Sequence, residues 1–368
     1  LRKITLYNMT FADAGWDGLL AGIKAGTRLT HLSLTACGLG PKHAADLAGI
    51  FSSGGCNIDT LCLAKNGLTG ATFYHNGKIR TGVDSNLDGI TTLLTALKTS
   101  QVICIDFSGC GLGPLGASSV AHYVRDATAS VHQIVLAGNK LIQGRAVESQ
   151  EECDKYGSMH VPEYAGFNSF CESMKGSQIT EINLSDCSLD ASATSSLADA
   201  MKFTASVAHI DISEAIIGDA SHALVEAVKS SSCLESITIA KGVKLPLKGQ
   251  YDSDIFDAAK KGIKSSDAAL IAWWLTTPVT PSLTSLCCGS NPGMVGELYR
   301  AGELCGRVKT PDAHIEALQQ LLDALKPSAV TDLDISGIGI GPTGADRVAD
   351  YVRDARAALA SLTLSGNE

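Results

Sequence analysis

Eleven segments of this chain share the apolar positions of one template, LxxLxLxx(N/C)xL, and seven of them carry its Asn or Cys. They include LTHLSLTACGL from Leu29, IDTLCLAKNGL from Ile58, VICIDFSGCGL from Val102, VHQIVLAGNKL from Val131 and ITEINLSDCSL from Ile179. Further copies begin at Leu1, Val207, Leu234, Leu283 and Val330, and one from Leu359 is cut off after Asn367. The first, fourth and sixth positions are apolar in every copy, with Cys288 counted as apolar. A period of this kind constrains the fold more than any local motif, because one unit cannot close its own core and must stack on its neighbours. On a strand the fourth and sixth residues point to the same side. Between the strands GPKHAADLAGIF, ASATSSLADAMK and DASHALVEAVK read as amphipathic helices that cover that side.

Starts at Leu1, Leu29 and Ile58, at Val102 and Val131, and at Ile179, Val207 and Leu234 lie 27 to 29 residues apart. Template and spacing together resemble the leucine-rich repeat family in its ribonuclease-inhibitor-like subclass. The resemblance covers the whole chain. It implies an α/β solenoid, a horseshoe with a parallel β-sheet on the concave face and helices on the convex face. About eleven repeats form a single domain over residues 1–368, read as a segment of a longer chain. It also implies a ladder in which the ninth-position Cys37, Asn66, Cys110, Asn139, Cys187, Asn291 and Asn367 satisfy backbone groups where the strand turns inward. Met9, Ala215, Gly242 and Ile338 depart from that pattern, so the ladder is expected to break there.

Four repeats are oversized. The spacings from Ile58 to Val102, Val131 to Ile179, Leu234 to Leu283 and Leu283 to Val330 are 44, 48, 49 and 47 residues. A helix-like segment still precedes each next strand, so the added residues, roughly 70–86, 143–165, 245–266 and 295–311, fall between strand end and helix start on one rim. The first carries Asn76-Gly77 between β-prone runs, a strong hairpin signal. The other three contain Tyr156, Tyr164, Tyr251 and Tyr299 without a clear pattern. Rim insertions in repeat proteins tend to lie on one binding face, which makes Tyr74, Asn76 and Gly77 candidate partner contacts.

Strand positions directed away from the helices carry Asp59, Asp106, Glu181, Asp186, Asp211, Glu214, Glu235, Asp332 and Asp334, against Arg2, Lys3, Lys65 and Lys241. The surplus acid is expected to steer a basic segment of a protein partner. A net charge of -9 without a basic block argues against nucleic acid, and no apolar run is long enough to span a bilayer. The twelve cysteines are scattered and show no CxxC pair. They read as reduced, mostly buried thiols of an intracellular, reducing compartment, the cytoplasm first.

Signals for chemistry are scarce, and no cofactor or metal is expected. There is no G-x-S-x-G elbow, no H-E-x-x-H and no Walker A motif. GLGPLG at Gly111–Gly116 matches a dinucleotide fingerprint, but GIGPTG recurs at Gly339–Gly344 inside an echo of the whole segment from Gly109 in that from Gly337. VHQIVLAGN also offers no acid for a ribose. The string therefore reads as a strand-to-helix turn. Two functional readings follow: a non-enzymatic interaction or structural scaffold, a subunit of a larger assembly, or a GTPase-activating regulator. The second rests on resemblance to the Ran GTPase-activating protein, with Arg80, Arg145, Arg300 and Arg307 in the insertions.

Overall fold

Strand and helix alternate from Lys3 to Thr363. The computed structural model describes residues 1–26, 28–52, 56–127, 131–146, 160–299, 304–354 and 359–367, with the backbone alone at Arg145. The chain divides into two compact units, one of Leu1–Asp211 with Ser230–Cys233, the other of Ile212–Lys229 with Leu234–Glu368. The repeat pattern gives no sign of this boundary.

The first unit begins with β1 (Lys3–Tyr7), α1 (Asp13–Ala25), β2 (His31–Thr35), α2 (Pro41–Phe51) and β3 (Thr60–Cys62). A ribbon of β4 (Thr72–Phe73) and β5 (Ile79–Thr81) leads to α3 (Asp88–Leu97), β6 (Cys104–Asp106), α4 (Pro114–Asp126) and β7 (Gln133–Val135). A second ribbon, β8 (Gln143–Ala146) with β9 (His160–Pro162), leads to α5 (Ala165–Met174), β10 (Glu181–Asn183), α6 (Ala191–Met201) and β11 (His209–Asp211). Strands β1, β2, β3, β6, β7, β10 and β11 pair in parallel, each with the next. Their registers place Leu32, Leu61, Ile105, Ile134, Ile182 and Ile210 in one row, all buried. The template's fourth position is thus the spine of the core. Proline at the first position of α2 and α4 starts each helix where its missing N–H costs nothing.

The second unit holds α7 (Ser221–Ser230), the antiparallel pair β12 (Ser236–Ala240) and β13 (Val243–Pro246), then β14 (Ile255–Asp257), α8 (Ser265–Leu275) and β15 (Ser285–Cys287). The ribbon β16 (Glu297–Leu298) with β17 (Val308–Thr310), α9 (Ile315–Leu325), β18 (Asp332–Asp334), α10 (Pro342–Asp354) and β19 (Ser361–Thr363) complete it. Strands β14, β15, β18 and β19 are parallel, with Phe256, Leu286 and Leu333 buried in one row. In each unit the fold is a leucine-rich-repeat α/β solenoid.

Two readings of the sequence change. Residues 245–266 are not simply a rim insertion, because Ile255–Asp257 is itself a repeat strand, paired in register with Ser285–Cys287. Its unit hid from the template because Ser253, Ala258 and Lys261 stand at the first, sixth and ninth positions. The repeat before it folds back as the β12–β13 hairpin, turning at Gly242, whose φ is +74°. Trp274 ties these pieces together: it is fully buried, its Nε1 donates to the Pro246 carbonyl at 2.7 Å, and its ring lies against Phe256 and Tyr251.

The ladder is present and reaches backwards. Asn66 Oδ1 accepts from the amides of Cys37 and Leu39, one repeat earlier, and its Nδ2 donates to the Leu34 and Leu63 carbonyls. Asn139 does the same for Cys110, Leu112, Phe107 and Leu136, and Asn291 for Gly262, Ile263, Ala258 and Cys288. The thiols of Cys110 and Cys187 donate to the Leu63 and Leu136 carbonyls at 3.1 Å. At Ile338 the side chain has no polar atom to offer the preceding turn, so that rung is interrupted as expected, while Asn367 Oδ1 accepts from the amides of Ile338, Gly339 and Ile340. A rung depends on the next repeat's Asn as much as on its own ninth residue.

Asn139→Ala would strand the Cys110 and Leu112 amides and two carbonyls in the core. We expect a loss of about 3 kcal/mol or more, read as a lower denaturant midpoint at unchanged slope. Asp267, in the first turn of α8, is buried to 2% exposure, and burial pushes its carboxyl up to about 7, partly opposed by the Lys264 amide and charge. Its Oδ2 accepts from the Lys264 amide, while Oδ1 has no hydrogen-bond partner among the described residues. The folded chain holds this proton where the unfolded chain has released it. Stability should therefore fall as pH rises from about 4 to about 7 and level off above. Melting Asp267→Asn beside the unaltered chain across that range tests this; parallel pH profiles would refute it.

Candidate functional site

The ribbon that Asn76-Gly77 announces is built at β4–β5. Phe73 pairs with Ile79 and Thr72 with Thr81, across a bulge. At the tip the Tyr74 amide donates to the Lys78 carbonyl, the Gly77 amide to the Tyr74 carbonyl, and the Lys78 amide to Asn76 Oδ1. Gly77 has φ +79°, a left-handed conformation that suits glycine. The tip is thus a three-residue loop closed by a glycine bulge, one of the common hairpin connections.

The root is clamped to the following repeat. Asp84 carboxylate oxygens accept from the amides of Gly113, Leu115 and Gly116, at the start of α4, at 2.8 to 3.1 Å. Thr69 Oγ1 donates to the Gly111 carbonyl at 2.8 Å. Burial pushes the Asp84 carboxyl above its ordinary range; the amides of Gly113, Gly116 and Leu115 oppose this and the Glu163 charge adds to it. The turn GLGPLG does form an anion cradle at a helix N-terminus. Its anion is the chain's own carboxylate. In the second unit Asp312 accepts from the amides of Gly341 and Thr343 at the start of α10, the same arrangement at GIGPTG.

A cleft of about 610 Å³ lies between the ribbon and the turns that follow β3, β6, β7 and β10. Tyr74, Asn76, Gly77 and Lys78 form its wall; Lys65, Gly109, Gly138, Lys140 and Asp186 lie on the turns. Tyr74 is half exposed, and the Arg80 guanidinium lies 5.8 Å from its ring centre. Lys140 Nζ donates to Ser188 Oγ. A second cleft of about 560 Å³, on the other side of β5, is lined by Arg80, Asp84, Lys140, His160 and Glu163 among others.

The candidate residues separate into groups. Tyr74, Asn76, Gly77 and Asp186 come together in the first cleft. Asp106, on β6, accepts from the Ser108 hydroxyl and the Cys62 thiol. Glu181 and Asp211 stand on the open face of the sheet, one residue either side of the buried row. In the second unit Asp332 and Asp334 flank Leu333 on β18, Glu235 precedes β12, and Glu214 occupies a turn with φ +67°. Arg300 and Tyr156, and the Arg145 side chain, lie outside the described residues.

Lys78, Lys140, Asp84 and Asp312 were not singled out from sequence. The signal for the last two was present: each precedes the glycine it caps, Gly113 or Gly341, by 29 residues, one repeat. Cys287, the outward member of the Cys287-Cys288 pair, has its thiol 3.9 Å from the Ser285 hydroxyl. Among the described residues no group of His, Cys, Asp and Glu has the arrangement to hold a metal ion, and no helix is long and apolar enough to cross a membrane.

No protein-family model matches the chain, and no curated protein matches it in sequence. In structure it is similar to the leucine-rich repeat-containing protein LegL7 from Legionella pneumophila, at 13% identity over 98% of this chain and 89% of that one, with a TM-score of 0.45. It is similar also to an internalin, InlF, from Listeria monocytogenes, at 13% identity, 100% and 82% coverage and a TM-score of 0.41. A third likeness is to the yeast Rad7 and Elc1 complex, at 13% identity, 95% and 74% coverage and a TM-score of 0.39.

Removing the clamp tests the ribbon's anchorage. Asp84→Ala should cost about 1 to 2 kcal/mol, the worth of a helix cap. It should also speed hydrogen exchange at the Gly113, Leu115 and Gly116 amides; unchanged exchange there would refute the clamp.

Proposed function

We propose that this chain is a non-enzymatic, protein-binding scaffold that docks partners along the rim carrying its ribbons. One observation carries the reading: three of the four oversized spans add an antiparallel ribbon after a repeat strand, β4–β5, β8–β9 and β16–β17, and in the remaining one the strand itself folds back as β12–β13. Neutral drift in surface loops gives no reason for one recurrent geometry. Short ribbons held at the root, as Asp84 holds β4–β5 and Asp312 holds β16–β17, lose little freedom when a partner binds, which favours affinity.

Repeat spacings of 27 to 29 residues with full helices support the ribonuclease-inhibitor-like subclass. Ladder thiols act as hydrogen-bond donors, so the fold uses reduced cysteine; this supports a reducing compartment, with the cytoplasm as our assignment. The acids on the open strand faces support attraction of a basic partner segment there, with Glu181 and Asp211 in the first unit and Asp332 and Asp334 in the second.

Shortening the ribbon, with Tyr74 to Ile79 replaced by a two-glycine link, should leave the melting transition in place and remove partners that copurify with the unaltered chain, read by mass spectrometry. An unchanged set of partners would count against docking at the rim. Asp211→Lys with Glu214→Lys should weaken capture in a salt-dependent way if a basic segment lies on the strand face. Capture that is indifferent to both would remove that part of the reading.

A further inference from the structure

The cleft beside the first ribbon has the opposite sign to the protein. The chain carries a net charge of -9, yet the lining of this cleft holds Lys65, Lys78 and Lys140 against one acid, Asp186. Lys65 and Lys78 are exposed. They come from separate places in the chain: Lys65 from the turn after β3, Lys78 from the ribbon tip, and Lys140 from the turn after β7. Stacking of repeats and the hairpin together bring them to one 610 Å³ space. Tyr74 adds an exposed aromatic face at its edge.

The arrangement at the tip has a second occurrence. In the β16–β17 ribbon the Tyr299 amide donates to the Arg307 carbonyl and the Gly306 amide to the Tyr299 carbonyl, as Tyr74, Lys78 and Gly77 do in the first. Gly306 has φ +83°, beside +79° for Gly77, and a basic residue follows in each case. Both ribbons are followed by the aspartate that caps the next repeat's helix. A tyrosine, a left-handed glycine and a cation thus recur on loops of different length, three residues between Tyr74 and Lys78 and seven between Tyr299 and Arg307.

We infer that the cleft between the first ribbon and the turns after β3, β6, β7 and β10 receives an acidic segment of a partner protein. Its Asp and Glu side chains pair with Lys65, Lys78 and Lys140, and an apolar or aromatic neighbour packs on Tyr74. This rests on the rim-docking reading above and adds the partner's chemistry. Two of the three lysine charges have no acid in the lining to balance them, so a carboxylate-bearing segment gains attraction there that a basic one does not.

The test uses the whole chain and three fluorescein-labelled probes of equal length: a Glu-Ser peptide, a Lys-Ser peptide and an oligo-dT strand. Fluorescence anisotropy at low and high salt should show the Glu-Ser peptide binding tightest, with affinity falling as salt rises. Lys78→Glu with Lys140→Glu should weaken it by about tenfold or more. Lys24→Glu, an exposed reversal on α1, should leave it unchanged, which separates the cleft from net charge. Equal binding by the reversed and unaltered chains, or binding of the Lys-Ser peptide as tight as that of the Glu-Ser peptide, would overturn the inference. So would oligo-dT competing as well as the acidic peptide. If the acidic peptide fails while shortening the ribbon still removes partners, rim docking stands and the acidic chemistry falls; if shortening also changes nothing, both fall.

Discussion

A repeat of this kind bends its backbone inward after every strand, and the amides exposed by that bend are buried. Each needs a partner that the repeat cannot supply itself. Asn66, Asn139, Asn291 and Asn367 supply it from the next repeat, with Oδ1 accepting two or three amides of the preceding turn and Nδ2 tying carbonyls of both. Stacking is therefore a condition for satisfying polar groups as well as for burying Leu and Ile. In the first unit Asn alternates with Cys, and the thiols make a weaker version of the same contact. Burial pushes the Cys187 thiol up to about 12, so it stays protonated at neutral pH and can donate to Leu136.

The ladder explains what was legible in the sequence. A repeat demands apolar residues at three positions, met in all eleven copies, and a rung demands Asn or Cys at a fourth, met in seven, so the copies stand out without structural help. The unit built on Ile255–Asp257 escaped because its demands are met differently. Ala258 is small and buried where a larger residue is usual, and the inward turn at Lys261 is satisfied from Asn291 one repeat on. The first ribbon was legible because its two strands lie close in sequence across Asn76-Gly77. The pairs β8–β9 and β16–β17 were not, because Gln143 pairs with Pro162 and Glu297 with Thr310. Strands of two to four residues joined over such gaps leave no periodicity to read.

The candidate site was legible by halves. Tyr74, Asn76 and Gly77 followed from the hairpin, and Asp186 from the strand pattern. Lys78 and Lys140 did not follow, because a lone lysine is unremarkable until the stacking of β3 to β10 sets it beside others. The sign of the cleft is a property of the assembled turns. That is why acids counted along the strands pointed to a basic partner segment, while the space beside the ribbon favours an acidic one. The two surfaces differ: Glu181, Asp211, Asp332 and Asp334 lie on strands, where side chains stand out from the sheet, while Lys65 and Lys140 lie on turns where the backbone leaves it and Lys78 on the ribbon tip.

The clamp at the ribbon's root connects these levels. A glycine-rich turn opening a helix presents unpaired amides, and in a nucleotide-binding protein a phosphate fills them. Asp84 fills them at α4 and Asp312 at α10, each sent from the preceding repeat's ribbon. The carboxylate stabilises the helix start and at the same time fixes the ribbon's direction, so the position of Tyr74 over the cleft is set by the neighbouring repeat and not by the hairpin alone. A two-strand hairpin is marginal in water by itself. Anchored this way it becomes part of the solenoid, and a partner that meets it encounters a surface already in place.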